Sequence, residues 1–209
     1  MSLLPLMLKL GGKRAAVVGA GAVAARHIPK LIEEGIKEIV VYAPTLHPSL
    51  EVYVSEERFR WEKGNVQPTT SFDTDLLFLT TNDSLLHKTL YQYKKPYQLV
   101  YVADNPALSD FYFPMTVKKG SLTIALSTGG SSPTYAKKVM KQIEYNLSET
   151  IEEDLLFLNK ARKRVLESEL NGSVRKKILQ QCASPSVLQN PKREQVLEQI
   201  INKSTNQPT

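Results

Sequence analysis

The stretch Arg14-Ala15-Ala16-Val17-Val18-Gly19-Ala20-Gly21-Ala22-Val23-Ala24 decides how the rest of the chain is read. Arg14 to Val18 is a short, almost wholly apolar run, the form of a strand covered on both faces. Two glycines follow at once, and a helical stretch then runs to Glu34, ended by Gly35. The turn has the pattern G-x-G-x-x-A. Gly19 permits the tight turn off the strand, Gly21 lets backbone approach a pyrophosphate, and Ala24 lets helix and sheet pack closely. The helix start presents unpaired N–H groups and a positive dipole end to phosphates. Gly19, Ala20, Gly21, Ala22, Val23 and Ala24 are therefore the candidate dinucleotide-binding set. Pro29 lies inside the helical stretch and removes an interior hydrogen bond, which predicts a kink or irregular turn.

Outward from this turn the chain alternates strands and helices. Ile39 to Tyr42 is a second strand stopping at Ala43-Pro44, which completes a strand–helix–strand unit of ordinary length. Phe59 and Trp61 alternate with Arg58 and Arg60 in a short strand. Leu76 to Leu79 is a buried strand ending in Thr80-Thr81-Asn82-Asp83, and a helix covers Ser84 to Tyr93. Leu99 to Val102 is another strand, ending in Ala103-Asp104-Asn105-Pro106. Such alternation predicts an α/β fold with a parallel sheet and right-handed crossovers, so residues 1–113 read as a Rossmann-like domain.

The character changes after Asp110. Phe111, Phe113 and Met115 alternate, as do Leu122, Ile124 and Leu126, with Lys118-Lys119-Gly120 between them as a hairpin turn. Ser132 is a natural N-cap and Pro133 a natural first helical residue. The helix that follows carries Ala136, Val139, Met140, Ile143 and Leu147 on one stripe. Further helical segments are broken at Asn171-Gly172 and Ser184-Pro185, and the tail from Asn202 reads as frayed. Residues 114–150 thus form a hairpin-and-helix segment and residues 151–209 a helical C-terminal domain.

Composition bounds the function. Hydrophobic residues make up 42% and charged residues 23% of the 209, which suits a folded domain. No apolar run is long enough to span a bilayer, and the opening Met1 to Met7 lacks the basic region of a signal peptide. Cys182 is the only cysteine; it permits no internal disulfide and fits a cytoplasmic location. Residues 1–113 hold 12 basic and 12 acidic side chains, whereas residues 114–209 hold 15 and 9, so the whole net charge of +6 lies in the second part. That excess is either a solvated face or a surface for an anionic ligand. It lacks interleaved aromatics, so nucleic acid is not the expected partner. His27, His47 and His87 are scattered, no metal site is expected, and His27 reads as a packing or surface residue.

In open parallel sheets ligands bind beyond the carboxyl ends of the strands. Thr80, Thr81 and Asn82 end one strand there. Asp104 ends another and is either an acid–base group or the cap of a turn before Asn105-Pro106. The acid that usually holds the cofactor ribose after the second strand is missing. Backbone near Ala43 and Pro44, or the Thr45 hydroxyl, has to replace it, and no arginine supports a 2′-phosphate. Ser127, Gly129, Gly130 and Ser131 form either a nest for a carboxylate or phosphate or an ordinary capped helix start.

Taken in order, Leu4-Pro5-Leu6-Met7, Val17 to Ala24, Thr80 to Asp83, Val102 to Pro106, Phe113-Pro114 and Ser127 to Pro133 resemble the siroheme-synthase dehydrogenase family. These are precorrin-2 dehydrogenases, some of which are also sirohydrochlorin ferrochelatases. The resemblance covers about the first 150 residues. It implies a cytoplasmic, NAD-dependent oxidoreductase that converts precorrin-2, a polycarboxylate tetrapyrrole, to sirohydrochlorin in siroheme (porphyrin-type) biosynthesis. It also implies a homodimer built through residues 114–150, Asp104 as the central carboxylate, and a serine at Ser127 that some relatives phosphorylate. Two other readings stay open at this point: a bifunctional enzyme that also inserts metal, and a non-catalytic nucleotide-sensing module.

Overall fold

Ala15, Ala16, Val17 and Val18 are each no more than 2% exposed, as befits a strand covered on both faces. In the computed structural model, which describes residues 3–205, this strand is β1 (Arg14–Val18), the middle of a five-stranded sheet. The others are β2 (Glu38–Ala43), β3 (Arg60–Lys63), β4 (Leu76–Leu79) and β5 (Leu99–Val102), in the order β3-β2-β1-β4-β5. Every pairing is parallel.

Alternate residues of each strand feed two apolar layers. Ala15, Val17, Ile39, Val41 and Phe78 cluster with Ala24, Ile28 and Leu31 of α1 (Ala22–Glu33). Leu50 and Tyr53, at and within the short α2 (Glu51–Ser55), join the same layer. Ala16, Val18, Leu77, Leu79, Val100 and Val102 cluster with Leu90 of α3 (Ser84–Gln92). α1 continues through Pro29 as one helix. Proline lacks a single N–H, and buried Ile28 and Leu31 hold the helix on the sheet to either side of it. Phe59 is buried ahead of β3, so the strand itself begins at Arg60.

The chain divides into two compact units after Phe113. Phe111 and Phe113 do not belong to the hairpin. They lie against the first unit's core, in a ring cluster with His27, Phe78 and Tyr101. The hairpin pairs β6 (Met115–Lys119) with β7 (Leu122–Leu126). Lys119 is opposite Leu122, so Lys118 and Lys119 are strand residues and Gly120-Ser121 is the turn. Gly120 has φ +55°, the left-handed conformation that two-residue hairpin loops require.

The rest of the second unit is helical: α4 (Pro133–Asn146), α5 (Ile151–Leu166), α6 (Gly172–Cys182), α7 (Pro185–Leu188) and α8 (Arg193–Thr205). Phe157, Ala161, Val165, Ile178, Cys182, Val187 and Leu197 form its core. Arg193 fastens it by donating to Asp154 Oδ1 at 2.6 Å and to the Leu188 carbonyl at 3.2 Å. α8 is helical from Asn202 to Thr205, the last described residue, so the expected fraying is not seen there; the remainder of that tail, like Met1 and Ser2, lies outside the described residues.

Candidate active site

The strand order reverses between β1 and β4, and ligands of open α/β sheets bind in the crevice that such a reversal opens. Gly19 leaves β1 with φ +95°. Thr80 clips the turn: its N–H donates to the Val18 carbonyl at 2.8 Å and its Oγ1 to the Gly19 carbonyl at 2.9 Å. A Cβ on Gly19 would lie 2.8 Å from the Thr80 carbonyl carbon and the Thr81 nitrogen, too close for any side chain. Gly21 is different. It is the N-cap of α1 with φ −84°, and nothing stands within 4 Å of where its Cβ would be. No side chain caps this helix start, so its first N–H groups face open space. A pyrophosphate fits that arrangement. Ala20 and Ala24 are buried beneath the turn, Val23 is half-buried, and Ala22 is exposed.

At the end of β2 the Ala43 carbonyl accepts from Trp61 Nε1 at 2.8 Å and from the Gly64 N–H at 3.2 Å. Both lone pairs are used, which removes this carbonyl from any ribose-holding role and leaves Pro44 and Thr45, both exposed.

Asp104 stands just past β5. Asn105 supplies the turn cap, its Oδ1 accepting from the Ala107 N–H at 3.1 Å. Asp104 is thereby released from capping and turns toward α3. Its Oδ1 lies 2.6 Å from His87 Nδ1, and its Oδ2 accepts from the Ser84 hydroxyl. His87 is 1% exposed, and its Nε2 meets Thr81 Oγ1 at 2.8 Å. The Ser84 hydroxyl, and after it the His87 ring, hold the Asp104 carboxyl below the usual carboxylate range against the opposing effect of desolvation. Asp104 is therefore ionised at neutral pH. Thr80 fixes the turn, Thr81 bridges to His87, and Asn82 is exposed beside them. Asp83 caps α3, accepting from the Leu85 and Leu86 N–H groups at 3.0 and 2.9 Å.

Ser84 and His87 are not singled out by the sequence. Their signal is an i, i+3 pair directly after a cap, on a helix that starts at the carboxyl edge of the sheet.

In the second unit, Ser127 Oγ accepts the Gly129 N–H at 3.1 Å, and Thr128 takes those of Ser131 and Ser132 at 3.1 and 3.3 Å. Ser132 Oγ then caps α4 through the Tyr135 N–H at 3.2 Å. Three donors of the loop are thus satisfied within it, as in a capped helix start. The Ser127, Gly129, Gly130 and Ser131 side of the loop is exposed. On α4 itself, Lys137, Lys138 and Lys141 line an open groove of about 560 Å³.

Comparison with known proteins places the chain in a family. A family model of NAD(P)-binding proteins matches residues 6–115, and the model of the sirohaem biosynthesis protein central region matches residues 119–145. A precorrin-2 dehydrogenase of Priestia megaterium is 30% identical over 172 residues, which is 82% of this chain and 84% of that protein. The chain belongs to the precorrin-2 dehydrogenase family. A second precorrin-2 dehydrogenase, from Bacillus subtilis, is 28% identical over 142 residues, covering 68% of this chain and 87% of its own. The siroheme synthase of Zymomonas mobilis is 30% identical over 168 residues, but those span only 36% of its length. Among solved structures, SirC, a precorrin-2 dehydrogenase, superposes with a TM-score of 0.81 over 96% of this chain and 100% of its own, at 24% identity; at that identity it speaks for the fold. As a precorrin-2 dehydrogenase family member, the chain is an oxidoreductase with an NAD(P)-binding domain, and no helix among its described residues is long and apolar enough to cross a membrane.

Proposed function

We propose that the protein oxidises precorrin-2 to sirohydrochlorin with NAD as hydride acceptor; two of its relatives are named precorrin-2 dehydrogenases. The observation that carries the residue assignment is an ionised Asp104 held at the carboxyl edge of the sheet that bears the glycine turn. Gly19 to Ala24 hold the pyrophosphate, with Gly21 giving the close approach. Pro44, Thr45 and the strand-end residues Thr80, Thr81 and Asn82 flank the remainder of the dinucleotide.

The oxidation removes one hydride and one proton from the reduced macrocycle. When bound, the nicotinamide supplies the hydride acceptor. Asp104 enters as a carboxylate, so its oxygens accept the N–H of a pyrrole or take the proton that leaves. The substrate's carboxylates meet exposed Ser127, Gly129, Gly130 and Ser131 and the lysines of α4 through charge-assisted hydrogen bonds. NAD is preferred to NADP because no arginine immediately follows β2, and the cation in register beside Ala43, Lys63, lies over the Trp61 ring.

A homodimer through the hairpin segment belongs to the same proposal. None of the ten residues of β6 and β7 is buried, although the hairpin packs against α4 and α5, so both strands keep surface for a second copy to cover. Light scattering on the purified protein tests this.

The deciding experiment is anaerobic turnover of precorrin-2 with each dinucleotide, for the parent and for Asp104→Ala. Loss of about a hundredfold or more in kcat is expected of the variant. Full turnover by Asp104→Ala removes that residue from the reaction, and a higher kcat/KM with NADP overturns the cofactor assignment.

A further inference from the structure

His87 is the most deeply buried polar side chain near the site, and no step above uses it. It lies on α3 one turn beyond the Asp83 cap and three residues after Ser84, so the two side chains share one face of the helix. Each takes a different oxygen of Asp104, His87 from the buried side and Ser84 from the exposed side. A carboxylate gripped at both oxygens from one helix has a fixed plane and a fixed unshared edge.

Both ring nitrogens of His87 are engaged. Ionised Asp104 only accepts, so Nδ1 of His87 carries a proton. Thr81 Oγ1 already accepts the Asp83 N–H at 3.2 Å. The same oxygen stands 2.8 Å from Nε2. The chain Asp83–Thr81–His87–Asp104 is thus linked by hydrogen bonds throughout, and the imidazole is held at both nitrogens. Thr81 is in turn the residue against which Gly19 is packed too closely to bear a Cβ. The same contacts that seat the glycine turn therefore end on Asp104.

We propose that Ser84 and His87 form a two-point clamp that orients Asp104 for the reaction, with His87 acting through Nδ1 rather than by filling the core. Both are positioning residues. This rests on the reading of Asp104 as the reacting carboxylate.

Two substitutions separate the two ends of the ring. In His87→Asn the amide is attached at Cγ, where Nδ1 is attached, so a donor to Asp104 survives and the Thr81 contact is lost. In His87→Gln the amide reaches the Nε2 position, so the Thr81 contact survives and Asp104 loses its donor. Each variant removes one buried hydrogen bond, and both are expected to lower the thermal midpoint alike. Their kinetics are expected to diverge. His87→Asn keeps kcat within about threefold of the parent, while His87→Gln loses about a hundredfold in kcat with little change in KM, as misplacement of a reacting group does. Ser84→Ala alters only an exposed position, leaves the midpoint unchanged, and lowers kcat by about tenfold; it decides the matter if His87→Gln does not fold.

Equal kcat for the Asn and Gln variants overturns the clamp, and so does parental kcat in Ser84→Ala where His87→Gln does not fold. Asp104→Asn in the same assay distinguishes the two levels. Parental kcat there removes the acid itself, whereas an inactive Asp104→Asn beside a fully active His87→Gln removes the clamp alone.

Discussion

Gly19 and Gly21 stand two residues apart in one motif, yet physics asks different things of them. Gly19 has φ +95° and Thr80 and Thr81 backbone within 2.8 Å of a would-be Cβ. Gly21 has ordinary φ and open space. Gly19→Ala is therefore expected to destabilise the fold by about 1–3 kcal/mol from backbone strain, before any contact with the neighbouring strand end is counted. Gly21→Ala is expected to cost at most about 1 kcal/mol, as a weaker N-cap, while weakening dinucleotide binding because the methyl enters the space a pyrophosphate needs. Urea unfolding and calorimetric titration with NAD check the pair; a Gly21→Ala protein that binds NAD like the parent removes the close-approach role. Sequence spacing named both glycines for these roles. Asp104 was visible as a residue at a strand end, but the choice between cap and reacting group was not, because it depends on Asn105 taking the cap and on two side chains some twenty positions earlier. Ser84 and His87 became meaningful only when α3 was set beside β5.

At the level of elements, α1 carries His27 into an aromatic cluster, with ring centroids 4.2 Å from Phe113 and 5.0 Å from Tyr101. The sequence identified His27 as a packing or surface residue and the structure makes it packing. It could not identify the packing partners, because Phe111 and Phe113 fit the alternation of the hairpin strand that follows them. Period-two spacing does not reveal where one unit ends, and only Met115 of the three lies in β6. Burial, with lesser repulsion from Lys30 and Arg26, lowers the pKa of His27 from 6.5 to about 4, and its Nδ1 has no hydrogen-bond partner. Between those values the unfolded chain binds a proton that the folded one does not, so stability rises with pH across the window and is flat with respect to this group above it. The size is about 2–3 kcal/mol. Asp73, Asp75 and Asp104, all lowered from 3.8, contribute stability above that value and lose it only as pH falls further, outside this window. His27→Leu is expected to flatten the slope between about pH 4.5 and 6.5 and to be more stable than the parent at the acid end, since it also removes an unsatisfied polar atom. Denaturant melts across that range test this; an unchanged slope in the variant assigns the pH dependence to other groups.

For the molecule as a whole the informative quantity is where its charge lies. The first unit is balanced, and the second holds the entire excess of +6. A dinucleotide received by backbone N–H groups at a helix start depends little on side-chain charge, because fixed dipoles act at contact distance. A macrocycle with several carboxylates, met by flexible lysines on an exposed face, depends on it strongly. Salt screens the second interaction far more than the first, since the Debye length at about 0.15 M is only about 8 Å. The KM for precorrin-2 is therefore expected to rise several-fold between low salt and about 0.3 M, with the KM for NAD nearly constant. Replacing Lys137, Lys138 and Lys141 together by glutamine is expected to raise the precorrin-2 KM at low salt and to reduce its salt dependence, leaving kcat and the NAD KM unchanged. These three are exposed on α4, so the fold is not at issue in that variant. If the triple variant keeps the parental salt dependence, the carboxylates are met elsewhere, and the basic clusters Arg162 to Arg164 and Arg175 to Lys177 become the groups to change next. If the NAD KM rises with salt as steeply as that of precorrin-2, the two units do not divide the electrostatic tasks, and the charge asymmetry is a property of solvated helix faces alone.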